Sequence, residues 1–290
     1  MQRESTPVFD LGFWRYAWEK EMRSSAYMGK RIRDQHETSD LWNKMATKYG
    51  EEDTNASRNR FQEVVGFLKT QNYIGQESDV LDVGCGNGVY ALPFARQVRS
   101  VTAIDSAQEM CAVLKKKAEQ GGIDNIIVRQ CLWEEVDLVK EGMSQAFDLV
   151  FASLTPAVCN YETLMKLNEA SRKYCCLITY AGKLVDQARH DLWQLIFGES
   201  ISGRGFDVIY PFNILYNLGY CPKINYFQYE FVREETVEQA IESFCQYFWL
   251  FTDITSEVEN IISNYVREKA VSGIFRSNNN VRLGIITWHI

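Results

Sequence analysis

The sequence predicts an α/β fold in which a mostly parallel sheet of seven strands follows an N-terminal helical segment. From residue 79 onward, short apolar runs of about five to seven residues alternate with longer amphipathic stretches, the pattern of strands joined by helical crossovers. Before residue 75, apolar side chains recur at spacings of three and four, which is typical of helices. After residue 220, two further strand patterns occur without such a crossover, which indicates an antiparallel pair at one sheet edge.

The predicted sheet begins with five buried strands whose apolar residues face both sides, as expected when helices cover both faces. These strands are Val80–Val83, Val101–Ile104, Ile126–Arg129, Asp148–Ala152 and Cys175–Tyr180, with helices at Val89–Arg99, Ala107–Gln120 and Glu162–Lys173. Two later strands, Lys223–Phe231 and Val281–His289, enclose helical patterns at Val237–Phe251 and Ser256–Lys269. The predicted domains are a helical segment, 1–74, and a main domain, 75–290, with an insertion at about 183–220 that lacks strand periodicity.

Composition and charge exclude several classes of protein. The chain has 46% hydrophobic and 24% charged residues and a net charge of −7, which argues against a broad nucleic-acid-binding surface. Its eight cysteines form no Cys-x-x-Cys pair, and its three histidines lack ligand spacing to them, so neither a disulfide framework nor a zinc site is expected. No apolar run approaches the roughly 18 residues of a membrane span, and we expect a cytoplasmic protein.

A glycine-rich turn follows the first predicted strand. The segment Val80-Leu81-Asp82-Val83-Gly84-Cys85-Gly86-Asn87-Gly88 ends the strand, places three glycines at alternate positions and leads directly into a helix. Glycines allow positive φ and a close approach of the backbone to a ligand, and a helix N-terminus offers unpaired N–H groups. A dinucleotide fingerprint would need a third glycine at Val89, so a pyrophosphate-binding turn is disfavoured.

This loop, with Asp82 before it, resembles the first motif of the class I S-adenosylmethionine (SAM)-dependent methyltransferases. The resemblance spans about residues 79–180 and implies a Rossmann-like sheet with an antiparallel C-terminal edge strand and SAM as the cofactor. It implies that Asp82 receives the ammonium of the methionine end, and that Gly84, Cys85, Gly86 and Gly88 line the cofactor. Helical additions before the first strand commonly form a lid in this family; the lid candidates here are Trp42-Asn43, Tyr49 and Arg58–Arg60.

A second element lies seventeen residues after Gly88, where a predicted strand ends at Asp105. A carboxylate at this place can accept both hydroxyls of a ribose, because its two oxygens suit a vicinal diol. In the resembled family this acidic residue has that role, and the residues after it, here Ser106 and Met110, flank the adenine.

The adenine amino group has no obvious partner in the sequence. Many relatives carry a carboxylate near the position of Leu132, but the segment Arg129-Gln130-Cys131-Leu132-Trp133-Glu134-Glu135 has no Asp there. Trp133 could stack on the adenine or Glu134 could replace the carboxylate; equally, Trp133 could be a core residue.

The acceptor is expected at the carboxyl end of the fourth strand, where ligands of open α/β sheets bind. Phe147-Asp148-Leu149-Val150-Phe151 fits the family's fourth strand, and Ser153 and Thr155 follow it without the Asn/Asp-Pro-Pro-aromatic signature of amino-group methylators. The insertion would complete this pocket through Lys183, Asp186, His190, Trp193, Arg204, Tyr210, Asn213, Tyr216 and Tyr220, unless most of these pack it onto the sheet. His190 is the best candidate for a catalytic base; the alternative is an exposed helical histidine.

The sequence therefore favours an enzyme that methylates a small molecule. Methylation of a protein or an RNA, and SAM binding without catalysis, are alternatives that the motifs leave open. A nicotinamide-dependent oxidoreductase is disfavoured by Val89 and by the late antiparallel pair. The oligomeric state has no sequence signal.

Overall fold

The computed structural model describes residues 7–24, 35–46, 55–182, 185–200, 206–249 and 251–290. Its sheet contains eight strands: β1 Asp79–Val83, β2 Ser100–Asp105, β3 Ile126–Gln130, β4 Phe147–Ser153, β5 Ser171–Tyr180, β6 Val185–Asp186, β7 Lys223–Thr236 and β8 Ile274–His289. The order is β3-β2-β1-β4-β5-β8-β6, and β7 pairs with the other edge of β8. Strands β1 to β5 are parallel, whereas β8 is antiparallel to β5, β6 and β7.

The central strands are buried on both faces because helices cover both. Along β1 the side chains alternate: Leu81 and Val83 join one hydrophobic cluster and Val80 the other. On the first face lie α1 Leu11–Ser24, α6 Tyr161–Ala170 and α8 Ile209–Asn217, and on the second lie α3 Asn55–Thr70, α4 Ala91–Ala95 and α5 Gln108–Gln120. This three-layer arrangement is the expected one for a parallel sheet.

A helical cap stands beyond the carboxyl edge of the sheet. Because Tyr180 at the end of β5 pairs with Leu283, the part of β8 from 274 to 282 continues past that edge, together with the second half of β7. Helices α7 Gln187–Phe197, α9 Val237–Trp249 and α10 Ser256–Lys269 pack with this arm in a third hydrophobic cluster that includes Trp193, Phe248 and Phe275.

Charged residues join the amino ends of three strands at the opposite edge. Arg172 Nη2 lies 2.6 Å from Asp148 Oδ2 and 2.9 Å from Asp79 Oδ2, and Lys173 and Arg99 pair with the same two carboxylates. The hydrogen bond from Arg99 is the main cause that lowers the pKa of Asp79 to about 2, and Arg172 lowers the pKa of Asp148. This cluster fixes the register of β1, β4 and β5 far from the glycine loop.

The predicted mixed α/β sheet with an antiparallel edge is confirmed. The last strand, β8, lies inside that edge, with β7 outside it. The helix predicted at Val89–Arg99 is shorter, since α4 covers only Ala91–Ala95, and the predicted insertion contains β6, α7 and α8. No helix among the described residues is long and apolar enough to cross a membrane.

The N-terminal helices have different positions. Trp18 and Met22 of α1 are buried in the cluster on one face, and Val64, Val65 and Leu68 of α3 in the cluster on the other. Of the described N-terminal helices, α2 (Gln35–Met45) is the one whose end is bonded to the glycine loop, through Ala46 and Asn87; its role as a lid stays a prediction. Helices α1 and α3 thus complete the cores of the main domain. The domain boundary at residue 74 stays a prediction.

Candidate functional site

The glycine loop adopts a conformation that only glycines accept without strain. Gly84, Gly86 and Gly88 have φ of 69°, 53° and 91°. A Cβ on Gly84 would lie 2.1 Å from Thr155 Oγ1, and one on Gly88 would lie 2.3 Å from Leu114 Cδ1. The loop is thus pressed between the segment after β4 and helix α5, which explains why two of its positions must lack a side chain.

Asp82 places a buried carboxylate at the end of β1. The residue is 2% exposed, and burial, reinforced by the negative charge of Asp105, raises its pKa to about 8. The Ala91 backbone is a hydrogen-bond partner of this carboxylate, but no described residue bonds to its Oδ2. A buried acceptor without a donor is costly, so this oxygen indicates a site for a cationic or N–H-bearing ligand group.

Asp105 lies at the end of the neighbouring strand β2 and is held in a fixed orientation. The backbone N–H of Gly86 donates to Oδ2 at 2.8 Å, and that of Ala107 donates to Oδ1 at 2.9 Å. Burial raises the pKa of this carboxyl despite both bonds. Each oxygen retains a second lone pair, so the carboxylate can still accept the two hydroxyls of a diol.

Other predicted cofactor residues surround these two carboxylates. Cys85 is buried within the loop, and its backbone N–H donates to Ile104 O at 3.0 Å. Met110 is buried beneath Gly86, with its Sδ 4.0 Å from where a Cβ on that glycine would lie. Ser106 is half-buried and follows Asp105 directly.

At the adenine position the structure distinguishes between the two roles considered for Trp133. Trp133 is 2% exposed and belongs to the hydrophobic cluster on the first face of the sheet, and its Nε1 donates to Thr163 O at 3.1 Å. The ring is therefore a core residue and is not available to stack on a ligand. Leu132 before it is half-buried, and Glu134 after it is exposed.

The segment after β4 borders the glycine loop. Ser153 is half-exposed at the strand end, and Leu154 has a positive φ of 48°, uncommon for a residue with a side chain. Thr155 is buried against Gly84, and its Oγ1 accepts from the Ala157 N–H at 3.2 Å. The turn thus presents Ser153 beside the loop.

The remaining predicted residues are less closely connected to the loop. Tyr49, Lys183 and Arg204 lie outside the described residues. His190 is exposed on α7, whose buried face packs in the cap cluster with α9 and α10, and no described contact joins it to the glycine loop. Its role as a base stays a prediction. Trp193 is buried in that cluster, which supports the packing interpretation for this part of the insertion.

Comparisons with known proteins agree with this geometry. Residues 80–173 match a family model described as a methyltransferase domain. The matched segment contains the glycine loop and Asp105. The family of this methyltransferase domain uses SAM as its methyl donor.

The chain is also similar to three individual proteins. The chain is 35% identical over 72 residues to the 23S rRNA (uracil(1939)-C(5))-methyltransferase RlmD of Pasteurella multocida, over 25% of this chain and 16% of that protein. It is 27% identical over 192 residues to an uncharacterized protein of Haemophilus influenzae, over 65% and 66% of the two chains. It therefore spans less than two thirds of either relative. The magnesium protoporphyrin IX methyltransferase of Synechocystis, solved with bound SAH, shares the fold with a TM-score of 0.50 at 14% identity, over 87% of this chain and 99% of that one.

Sequence reasoning missed the contacts between α2 and the loop. Asn87, which is fully buried, donates from Nδ2 to Ala46 O at 3.2 Å, and Asn43 Oδ1 accepts from the Glu109 N–H at 3.0 Å. Only the Trp42-Asn43 pair, proposed as part of a lid, hinted at them.

Proposed function

We propose that this chain is an enzyme that transfers the methyl group of SAM to a small-molecule acceptor. The observation that carries the proposal is Asp82: a buried carboxylate beside a glycine loop, with an oxygen that receives no hydrogen bond from the described residues. A charged amino group is the ligand part that would satisfy this oxygen, and the amino acid end of SAM carries one.

The residues at the carboxyl ends of β1 and β2 fit the rest of this cofactor. Asp82 would hold its ammonium and Asp105 its ribose hydroxyls, while Gly84 and Gly86 let the backbone approach it closely. SAM supplies a methyl group that is already electrophilic because it is bonded to a sulfonium. The protein therefore has to orient the acceptor, exclude water and, for an acceptor that arrives protonated, accept a proton.

The acceptor side is proposed above Ser153, between the carboxyl end of β4 and the helical cap. Proximity and orientation of the two reactants can lower a barrier by roughly 7–11 kcal/mol, so a rigid cap over the strand ends is an effective device. The net charge of −7 argues against an RNA acceptor. The match to the rRNA methyltransferase covers only 16% of that protein and does not favour RNA. The eight free thiols agree with a reducing cytoplasm.

The experiment is transfer of a labelled methyl group. The purified chain would be incubated with methyl-labelled SAM and with separate small-molecule, protein and RNA fractions of a cell extract. We expect label in the small-molecule fraction, and no label there when the protein has been heat-inactivated. Label in protein or RNA would contradict the acceptor class, and SAM binding without any transfer would favour a non-catalytic SAM-binding protein.

A further inference from the structure

Helix α2 is hydrogen-bonded to the start of α5. Under the proposed function, on which the inference below rests, the adenosyl part of SAM would lie next to this contact. Ser39 Oγ donates to Ser106 Oγ at 3.1 Å. One turn later, Asn43 Oδ1 accepts from the Glu109 backbone N–H at 3.0 Å. That N–H belongs to the first turn of α5, where backbone donors lack partners within the helix. The side chain from α2 therefore supplies a hydrogen bond that α5 does not make for itself.

The end of α2 reaches the glycine loop as well. Ala46 is 1% exposed, and its carbonyl accepts from Asn87 Nδ2 at 3.2 Å. Asp105 joins the same two elements from below, through the N–H groups of Gly86 and Ala107. The lid helix thus spans the position of the ribose carboxylate and touches the chain on both sides of it.

Trp42 is the large side chain that α2 directs into this contact. It is half-buried and packs against the hydrophobic cluster formed by Ala46, Ala107 and Met110. Met110 in turn lies beneath Gly86. The indole therefore belongs to the same hydrophobic cluster as Met110, the residue that lies against Gly86.

The loop after β3 has one aromatic residue, Trp133. Trp133 is occupied in the core, with its N–H bonded to Thr163 O. We infer that Trp42 of α2 provides the aromatic wall of the adenine site, so that α2 is part of the cofactor-binding site. A purine presents a flat, polarisable face that indole side chains stack on, and stacking needs no carboxylate.

Docking of α2 would also affect exchange of the cofactor. A ligand between Trp42 and Asp105 is covered by a helix that is bonded to both sides of its site. Movement of α2 away from this site would break the bonds made by Ser39 and Asn43. Cofactor binding and docking of α2 are thereby coupled, because the contact between Trp42 and the adenine forms only when both are in place.

The test uses the full chain with S-adenosylhomocysteine (SAH) and adenosine as probes. Affinities would be measured by calorimetry for the wild-type protein, Trp42→Ala and Trp42→Phe, with Trp14→Phe as a matched control. Trp14 lies on α1, where its Nε1 donates to Val8 O at 2.9 Å. A second readout is the change of tryptophan fluorescence on adding SAH.

Loss of the stacking wall should weaken binding of both probes by about 10-fold to 100-fold in Trp42→Ala, and by less than about 5-fold in Trp42→Phe. The SAH-induced fluorescence change should disappear in Trp42→Phe and persist in Trp14→Phe. Wild-type affinity in Trp42→Ala, or a persistent change in Trp42→Phe, would overturn the assignment; the Phe variant keeps it falsifiable if the Ala variant does not fold. Failure of the wild-type protein to bind SAH would overturn the proposed function itself.

Discussion

Replacing Asp82 by Asn should stabilise the ligand-free protein while abolishing SAM binding. Burial raises the pKa of this carboxyl from 3.8 to about 8. An acid whose pKa is raised by folding costs no stability below its unfolded pKa, and the cost grows as the pH rises toward the folded value. At pH 7 the pH exceeds 3.8 by 3.2 units, which at about 1.36 kcal/mol per unit gives a penalty of at most about 4 kcal/mol.

Asparagine keeps the shape of Asp82 and cannot ionise, so the substitution removes this penalty. The free energy of unfolding from urea titrations should be similar in both proteins at pH 4. The variant should become progressively more stable than the wild type between pH 4 and pH 8, with a constant difference above that. The same variant lacks the negative charge that the SAM ammonium needs, so its affinity for SAM should fall at least 100-fold.

Asp79→Asn is the matched control at the other end of the same strand. Its pKa is lowered to about 2, mainly by the hydrogen bond from Arg99, so its ionised form stabilises the fold at neutral pH. That contribution is present above about pH 4 and is lost as the pH falls through 2. Asp79→Asn should therefore destabilise the protein at pH 7. An Asp82→Asn variant that is less stable than the wild type at pH 7, or whose stability difference does not change with pH, would refute the reasoning.

Three further predictions concern the loop, the ribose carboxylate and the charged cluster. Asp105→Ala should weaken SAH binding about 10-fold or more by calorimetry, because it removes the carboxylate proposed to accept two ribose hydroxyls; unchanged affinity would show that Asp105 does not bind the ribose. Gly88→Ala should lower both the thermal midpoint and the SAH affinity, because the added Cβ would lie 2.3 Å from Leu114 Cδ1. Gly122→Ala is the control: Gly122 also has a positive φ, but its Cβ would meet open space, so this variant measures the cost of positive φ without a clash. Arg172→Ala should reduce the free energy of unfolding by roughly 1.5–3 kcal/mol at pH 7 and leave SAH affinity unchanged, and reduced affinity would mean that the cluster acts on the site.

The parts of the fold that sequence could predict are those determined by local pattern. The central parallel strands contain nearly continuous apolar runs, as in β4, where six of seven residues are buried, and such runs are readable without tertiary context. The prediction that all five are buried is wrong for β3, an edge strand without a buried residue. The glycine loop was readable because three glycines between a strand and a helix have few other uses. The lengths of β7 and β8, by contrast, were underestimated. The halves that the sequence did not predict extend beyond the parallel strands and carry polar side chains such as Arg233 and Asn278.

The parts that could not be predicted depend on contacts between distant segments. The sequence around Trp133 does not distinguish a ring that stacks on a ligand from one that packs in the core. The hydrogen bond from Trp133 to Thr163, thirty positions away, shows that the ring packs in the core. The position of α2 over the loop depends on side-chain bonds such as that of Asn87 to Ala46, which no periodicity encodes. His190 had the right chemistry for a base, but its location on α7 follows from packing of the cap.

The most direct test of the central claim is calorimetry of SAM binding to the wild-type chain at pH 7, in two buffers of different ionisation enthalpy. At that pH Asp82, with a pKa of about 8, is mostly protonated, so binding of the SAM ammonium should release close to one proton per site. SAM and SAH should bind, the proton should be released, and Asp82→Asn should eliminate both effects. Binding of NADH instead of SAM, or SAM binding that releases no proton and survives in Asp82→Asn, would contradict it.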